Sequence, residues 1–368
     1  MAKIGETTLV IDLAALEHNF HFLKSKLKAG TKFMGVVKAF AYGSDMVAIA
    51  KKLEALKADY LAVAYVKEGL LLREAGITLP ILVLHPLPVH FKALINAQLE
   101  PSLYSPKVLR EFIETTEAAG ITDYPVHIKF NTGLNRLGFW ENDVALIFEM
   151  LEHSNALKIK GILSHLAASE DEKEDPFTQL QITRFQNISQ SVKQRLGEMP
   201  LRHMLNTSGI LNHTNAQFDM VRSGIGLYGF GNHPNFDTQL KPVTTLKTVI
   251  SQRHKIEPGE SVGYNRGYVS DAYRITATLP IGHADGIGRQ YGGGKTVVWV
   301  HGKKAPILGN VCMDMIMIDV TDIDCKEGDE VILFGGEHSA ADLAESANTI
   351  SYELLTAVSQ RVTRKILN

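Results

Sequence analysis

Phe33-Met34-Gly35-Val36-Val37 decides the fold, because this apolar, β-rich run breaks off at Lys38 and is the first of eight with the same habit. Before it, Leu13, Leu16, Phe20, Leu23 and Leu27 keep the spacing of three and four expected of a helix, with Asp12 as its N-cap. After it, β-like runs fall at 60–63, 81–84, 100–103, 126–130, 159–164, 203–206 and 219–222, with helix-sized segments between most of them. Parallel neighbours need crossover connections, which helices supply. Eight strand-then-helix units in about 230 residues match a (β/α)8 barrel in number, spacing and length, with a doubly wound sheet as runner-up.

From residue 237 the pattern changes. Runs at 243–250, 274–279, 296–300, 315–320 and 330–334 are separated by turn signals such as Glu257-Pro258-Gly259, Gly292-Gly293-Gly294 and Glu327-Gly328-Asp329. The expectation is an α/β chain of two domains: a TIM-type (β/α)8 barrel over 1–236 and a mainly antiparallel β domain over 237–368, with 339–363 largely helical. At 45% hydrophobic and 21% charged, a chain of 368 residues can bury a core in each.

Composition narrows the function. Lys plus Arg (38) against Asp plus Glu (40) leaves a net charge of −2, so no global basic field exists to hold nucleic acid or an anionic membrane. The first residues are too polar for a signal segment and charges interrupt every apolar run, which predicts a cytoplasmic protein. Cys312 and Cys325 lack C-x-x-C or Cys/His pairing, so neither a metal site nor a disulfide scaffold is expected, and Cys312 reads as a buried small apolar residue. Gly294-Lys295-Thr296 imitates the end of a phosphate-binding loop, but Arg289 stands where its first glycine is required, and a glycine-rich hairpin turn is the better account. The acidic run 170–175 reads as a solvated surface.

Chemistry in a parallel barrel gathers at the strand C-termini. Those positions carry Lys38, then Lys129 and Asn131 with Arg136 just beyond, His165, Asn206-Thr207 and Arg222. Each alone has a dull reading, since a strand-end Lys is usually solvated and a lone His usually structural. Together they make one cationic bowl, which implies an anionic ligand. Thr207-Ser208-Gly209 and Ser223-Gly224-Ile225-Gly226 are small enough to bring backbone N–H groups to a phosphate, and a rim lysine can condense with an aldehyde. The ligand that is both phosphate and aldehyde is pyridoxal 5′-phosphate.

The run Val36-Val37-Lys38-Ala39-Phe40-Ala41-Tyr42-Gly43 resembles the cofactor-attachment motif of the alanine racemases. The resemblance continues through 129–138, 203–208, 221–229, Gly263-Tyr264, 281–289, 306–319 and Tyr352-Glu353, nearly the whole chain in the family's order. It implies Lys38 as cofactor anchor and as base for the D-isomer, and Tyr264 as base for the L-isomer. It places His165 between Tyr264 and Arg222, and Arg222 at the pyridine nitrogen, where a donor-only guanidinium keeps the ring unprotonated and favours racemisation over transamination. Tyr42, Asn206, Thr207, Gly224, Ile225 and Tyr352 are implied as cofactor contacts. Arg136 would orient the cofactor's phenolic oxygen and the substrate carboxylate, aided by the Met313 backbone, Lys129 would take up CO2 as a carbamate, and His283 would stand at the entrance. The family also builds shared active sites in a head-to-tail homodimer.

Several positions depart from the usual pattern: Phe40 for Asn, Ser44 for His, Asn131 for Asp, Thr207 for Ser, Asn310 for Arg and His283 for Tyr. The activity implied is interconversion of L- and D-alanine, supplying D-alanine for peptidoglycan. A broad-specificity amino-acid racemase on the same scaffold is the alternative. A non-catalytic carrier of the cofactor has no use for Tyr264, and a barrel decarboxylase has no need of a second base.

Overall fold

The computed structural model describes residues 5–368. Eight parallel strands close into a barrel in sequence order: β2 (Lys32–Val36), β3 (Tyr60–Val63), β4 (Ile81–Val83), β5 (Glu100–Leu103), β6 (Tyr124–Lys129), β7 (Leu157–Leu163), β8 (Leu201–His203) and β9 (Met220–Ser223). Closure is made by β2 on β9, with Met34 opposite Arg222 and Gly35 opposite Ser223. All eight expected runs are strands, most within a residue or two of their anticipated ends.

The crossover helices explain their own boundaries. In the helix Pro106–Ala118, Ser105 caps by accepting from the Val108 N–H at 3.3 Å and Pro106 occupies the first turn, where its missing N–H is harmless. Val108, Leu109, Phe112, Ile113 and Thr116 form its buried face. Phe112 is wholly buried, worth about 2–3 kcal/mol by area.

The chain before the barrel departs from expectation. β1 (Thr8–Asp12) is a strand that precedes the first helix (Leu13–Ser25), which Asp12 caps through N–H bonds from Ala14 and Ala15 at 2.8 and 2.9 Å. Helical spacing beginning at Leu13 hid it. β1 pairs with β10 (Thr244–Val249) antiparallel and with β19 (Thr363–Leu367) parallel. The compact units are accordingly Leu16–Ala41 with Met46–Leu240, and Lys241–Asn368 with the segment through Ala15 and Tyr42–Asp45.

The second unit holds a nine-stranded sheet and a two-stranded ribbon. Its further strands are β11 (Gln252–Ile256), β12 (Ser261–Val262), β13 (Tyr268–Val269), β14 (Arg274–Leu279), β15 (Val297–Val300), β16 (Lys303–Leu308), β17 (Ile316–Asp319) and β18 (Glu330–Phe334). Gly292-Gly293-Gly294 is not the hairpin turn expected: Gly293 and Gly294 donate to the carbonyls of Gly309 and Ile307, and the β15–β16 turn lies at His301-Gly302. Cys312 is half-buried, and Cys325 is the buried one. Among the described residues no helix is long and apolar enough to cross a membrane.

Candidate active site

Beyond β2, Lys38–Gly43 coils into one helical turn whose φ values are 52, 53, 54 and 55° at Ala39, Phe40, Ala41 and Tyr42, and 79° at Gly43. That is the left-handed region, which costs roughly 1–2 kcal/mol per L-residue. The turn persists because both ends are held. Glu68 accepts from the Ala39 N–H at 2.6 Å through one oxygen, and from the Ala64 and Tyr65 N–H groups at 2.7 and 3.1 Å through the other. At the far end the Gly43 carbonyl accepts from Arg364 at 2.9 Å, and a Cβ on Gly43 would collide with the Leu355 carbonyl. Neither Glu68 nor Arg364 was visible as a site residue in the sequence, since each acts on backbone.

Lys129 ends β6, and the following loop carries Arg136. That loop is closed by Phe139, which donates to the Lys129 carbonyl while its own carbonyl accepts from Asn131 N–H, both at 2.8 Å. Only glycine fits at Gly138, where φ is 132° and a Cβ would lie 2.6 Å from backbone atoms of Phe130 and Asn131. Asn131 Oδ1 accepts from Gly133 and Asn135 N–H groups, so the residue in place of Asp shapes the loop. Burial, aided by Arg136, Arg222 and Lys38, draws the Lys129 amine down to about 8. Burial, then Arg136 and Arg222, also lowers Lys38, with Glu68 pulling the other way.

Arg222 lies within β9 and is buried. Its Nη1 donates to His203 Nδ1 at 2.8 Å and His203 O at 2.9 Å; its Nη2 donates to Ser164 O at 2.7 Å, and to Met204 O and His165 Nδ1 at 3.1 Å. Among the described residues no protein acceptor takes its Nε–H. Burial lowers the guanidinium to about 10, so it stays charged at neutral pH. His165 is pushed well below its ordinary value by burial and by Arg222, Arg136, Lys129 and Lys38. It is therefore a neutral ring accepting at Nδ1. Gln181, unremarked in the sequence, holds that loop by donating to His165 O at 3.2 Å and accepting from Ala167 N–H at 2.9 Å.

Beside these cations lies a cradle of small groups. Asn206 caps the short helix Thr207–Asn212 by accepting from Gly209 N–H at 2.9 Å. Thr207 Oγ1 lies 3.1 Å from Ser223 Oγ and accepts from Gly226 N–H at 3.1 Å. A Cβ on Gly226 would stand 2.5 Å from the Thr207 methyl, so the close approach requires glycine. Gly224 and Ile225 lead into the turn Ile225–Tyr228, and Tyr228 donates to the Val36 carbonyl at 3.0 Å, tying this edge to the end of β2.

The second unit holds the other expected residues. Tyr264 begins a turn in which Asn265 and Arg266 have φ of 54 and 47°, and its carbonyl accepts from Asn310 at 3.0 Å. Its side chain is 75% exposed and lines a cleft of about 690 Å³ with Met313, Met315 and Met317. His283 N–H donates to Cys312 O, and Ala284 N–H to Met313 O, both at 3.0 Å. Arg361 supports this pair by bridging Asp285 and Asp314, each with a 2.6 Å contact. Tyr42 and Tyr352 stand with ring centroids 6.1 Å apart. Burial, then Tyr352, pushes the Tyr42 phenol up, so it remains a donor.

The residues fit pyridoxal phosphate on three counts of their own chemistry. A rim lysine is lowered toward the nucleophilic amine, hydroxyl and glycine groups form a cradle that a Cβ would fill, and one guanidinium N–H is left to meet a ring nitrogen.

The comparisons agree across the chain. Residues 11–232 match the model of the alanine racemase N-terminal domain, and 243–366 that of the C-terminal domain. An alanine racemase of Halothermothrix orenii is 38% identical, over 97% of this chain and 96% of its own. The structure of an alanine racemase of Clostridium difficile 630 superposes with a TM-score of 0.91 at 34% identity, covering 100% of this chain and 97% of that one. One from Bartonella henselae, with covalently bound pyridoxal phosphate, does so at 0.89 and 28%, covering 99% and 100%. With both domain models matched in order along the chain, it belongs to the alanine racemase family.

Proposed function

We propose that this chain interconverts L- and D-alanine with pyridoxal 5′-phosphate, in the cytoplasm and as a homodimer, supplying D-alanine for peptidoglycan. The observation that carries the reading is the donor-only Arg222, fixed by five hydrogen bonds within a cationic barrel rim that also holds Lys38. When bound, the cofactor withdraws electrons from the α-carbon of the amino acid and so acidifies its C–H.

The chain's own residues do the rest. Lys38 Nζ would hold the cofactor at its aldehyde and, when not so engaged, would act as the base on one face of the substrate. Burial, then Arg136, lowers that amine, the direction a base requires. Tyr264 gives or takes the proton on the opposite face, with His165 linking it to Arg222. Arg222 offers only N–H, so it would meet the cofactor's ring nitrogen as a donor and leave that nitrogen unprotonated. Arg136 and the Met313 backbone orient the substrate carboxylate, and Lys129, as a carbamate, gives Arg136 an anionic partner. Tyr42, Thr207, Gly224, Ile225 and Tyr352 hold the phosphate, with Asn206 shaping that turn; His283 stands at the entrance. In this reading 1–236 supplies most of the cofactor contacts, and 237–368 supplies the second base together with Tyr352.

The homodimer rests on the exposure of Tyr264 together with Val269, Tyr273, Met313 and Met315 in the second unit, an apolar surface that a second copy would cover. Borohydride reduction followed by peptide mapping tests the cofactor anchor. The expected adduct is on Lys38; an adduct on any other lysine would contradict the assignment.

A further inference from the structure

Two fully buried histidines, His127 and His203, lie inside the barrel and belong to no role so far described. They join Arg222 to a carboxylate. His203 Nδ1 is 2.8 Å from Arg222 Nη1, His203 Nε2 is 3.0 Å from His127 Nδ1, and His127 Nε2 is 3.0 Å from Glu100 Oε2. The other Glu100 oxygen accepts from Lys160 at 2.6 Å. Glu100 opens β5 and Arg222 lies near the end of β9, so the line runs between the two ends of a parallel barrel.

Every proton in this line has one place. Arg222 can only donate, so His203 must accept at Nδ1 and carry its proton on Nε2. That proton is donated to His127 Nδ1, which must be bare, so the His127 proton sits on Nε2 and is donated to Glu100. A second proton on either ring would set two N–H groups face to face. Burial, then the charge of Arg222, pushes His203 well below its ordinary value, in keeping with that order. Arg222 itself makes no salt bridge to a carboxylate among the described residues, its Nη partners being carbonyls and imidazoles. Glu100 is the anion to which the line leads.

We infer that His127, His203 and Glu100 are positioning residues for racemisation: their one-way line of hydrogen bonds anchors Nη1 of Arg222 and leaves its Nε–H for the cofactor ring. The inference rests on Arg222 facing that ring, as proposed above. A neutral acceptor at His203 Nδ1 draws the guanidinium edge into the barrel, and polarisation along successive bonds strengthens that hold. His127 and Lys129 are two residues apart in β6, so the strand that carries a rim lysine also carries the relay beneath it.

The test uses the holoenzyme labelled with 15N-histidine. His127 and His203 should both appear as neutral rings protonated at Nε2, with imidazole protons shifted downfield and slow to exchange. His127→Leu should lose the His203 signal of this kind and lower kcat on the order of tenfold, the scale of an outer-shell partner's removal. KM for alanine should stay within about twofold, and the visible spectrum of the bound cofactor should change. His127→Gln, whose amide can accept from His203 and donate to Glu100, should restore most of kcat and covers the case in which the leucine variant fails to fold. His203 protonated at Nδ1, or parental kcat and spectrum in the folded leucine variant, or a glutamine variant as impaired as the leucine one, would overturn the inference. A parental spectrum in Arg222→Lys would instead overturn the placement of Arg222 at the ring; the imidazole protons report on the relay alone.

Discussion

The barrel rim and the edge of the β unit set the two residues we propose as bases in opposite surroundings. Lys38 stands on a strained left-handed turn clamped by Glu68, among cations and in a half-buried place that lowers its amine. Tyr264 also stands beside left-handed residues, yet its ring is 75% exposed. Burial and neighbours are what move a pKa, and the barrel supplies both for Lys38. The contrast is why we propose a second copy of the chain at the Tyr264 surface: Lys38 is enclosed by its own barrel, whereas the Tyr264 ring lies open.

The largest expected effect breaks the barrel side of this contrast. Arg222→Glu replaces a donor that stays charged at neutral pH with a carboxyl group that would let the ring nitrogen we propose it meets hold a proton. Racemisation should fall on the order of 10²–10³-fold, with a long-wavelength absorbance during turnover that the parent lacks. Parental turnover without that absorbance would mean that Arg222 has no such role.

A smaller effect sharpens the electrostatics. The Lys129 amine, at about 8 in the fold, lies below the ~10.4 of an unfolded lysine. Between those values the unfolded chain binds more protons, so this lysine's burden on stability is full below about pH 8 and lifts as pH rises toward ~10.4. Lys129→Met in CO2-free buffer should therefore gain stability at pH 7, on the order of 3 kcal/mol at most, and lose the rise with pH. Urea unfolding across pH 7–10 checks this; identical pH dependence in parent and variant would show that Lys129 is not desolvated. Because the same amine is partly neutral near pH 8, labelled bicarbonate should yield a carbamate carbon signal that the variant lacks.

Much of this arrangement was legible in the sequence. Period and turn signals gave all eight barrel strands, and cations at their ends gave the rim, because parallel strands concentrate polar groups at one end. What stayed hidden acts through backbone or across long separations. Glu68 and Arg364 grip main-chain atoms of the turn after Lys38, Gln181 grips the loop of His165, and Arg361 joins two aspartates far away in sequence. β1 was missed because it is short and is a strand only through partners more than two hundred residues distant. His127 and Glu100 lie in two separate strand runs and come into line only when the barrel pairs those strands.

The central claim, two bases from two copies of the chain, is tested most directly by mixing two inactive proteins. Lys38→Ala and Tyr264→Phe, each lacking one base, are coexpressed or refolded together so that subunits exchange. Random pairing makes half of the dimers mixed, and each mixed dimer joins one intact Lys38 to one intact Tyr264, so activity should recover to about a quarter of the parental value per site. If each site were built within one chain, every site would lack a base. No recovery despite demonstrated subunit exchange would contradict the shared-site account.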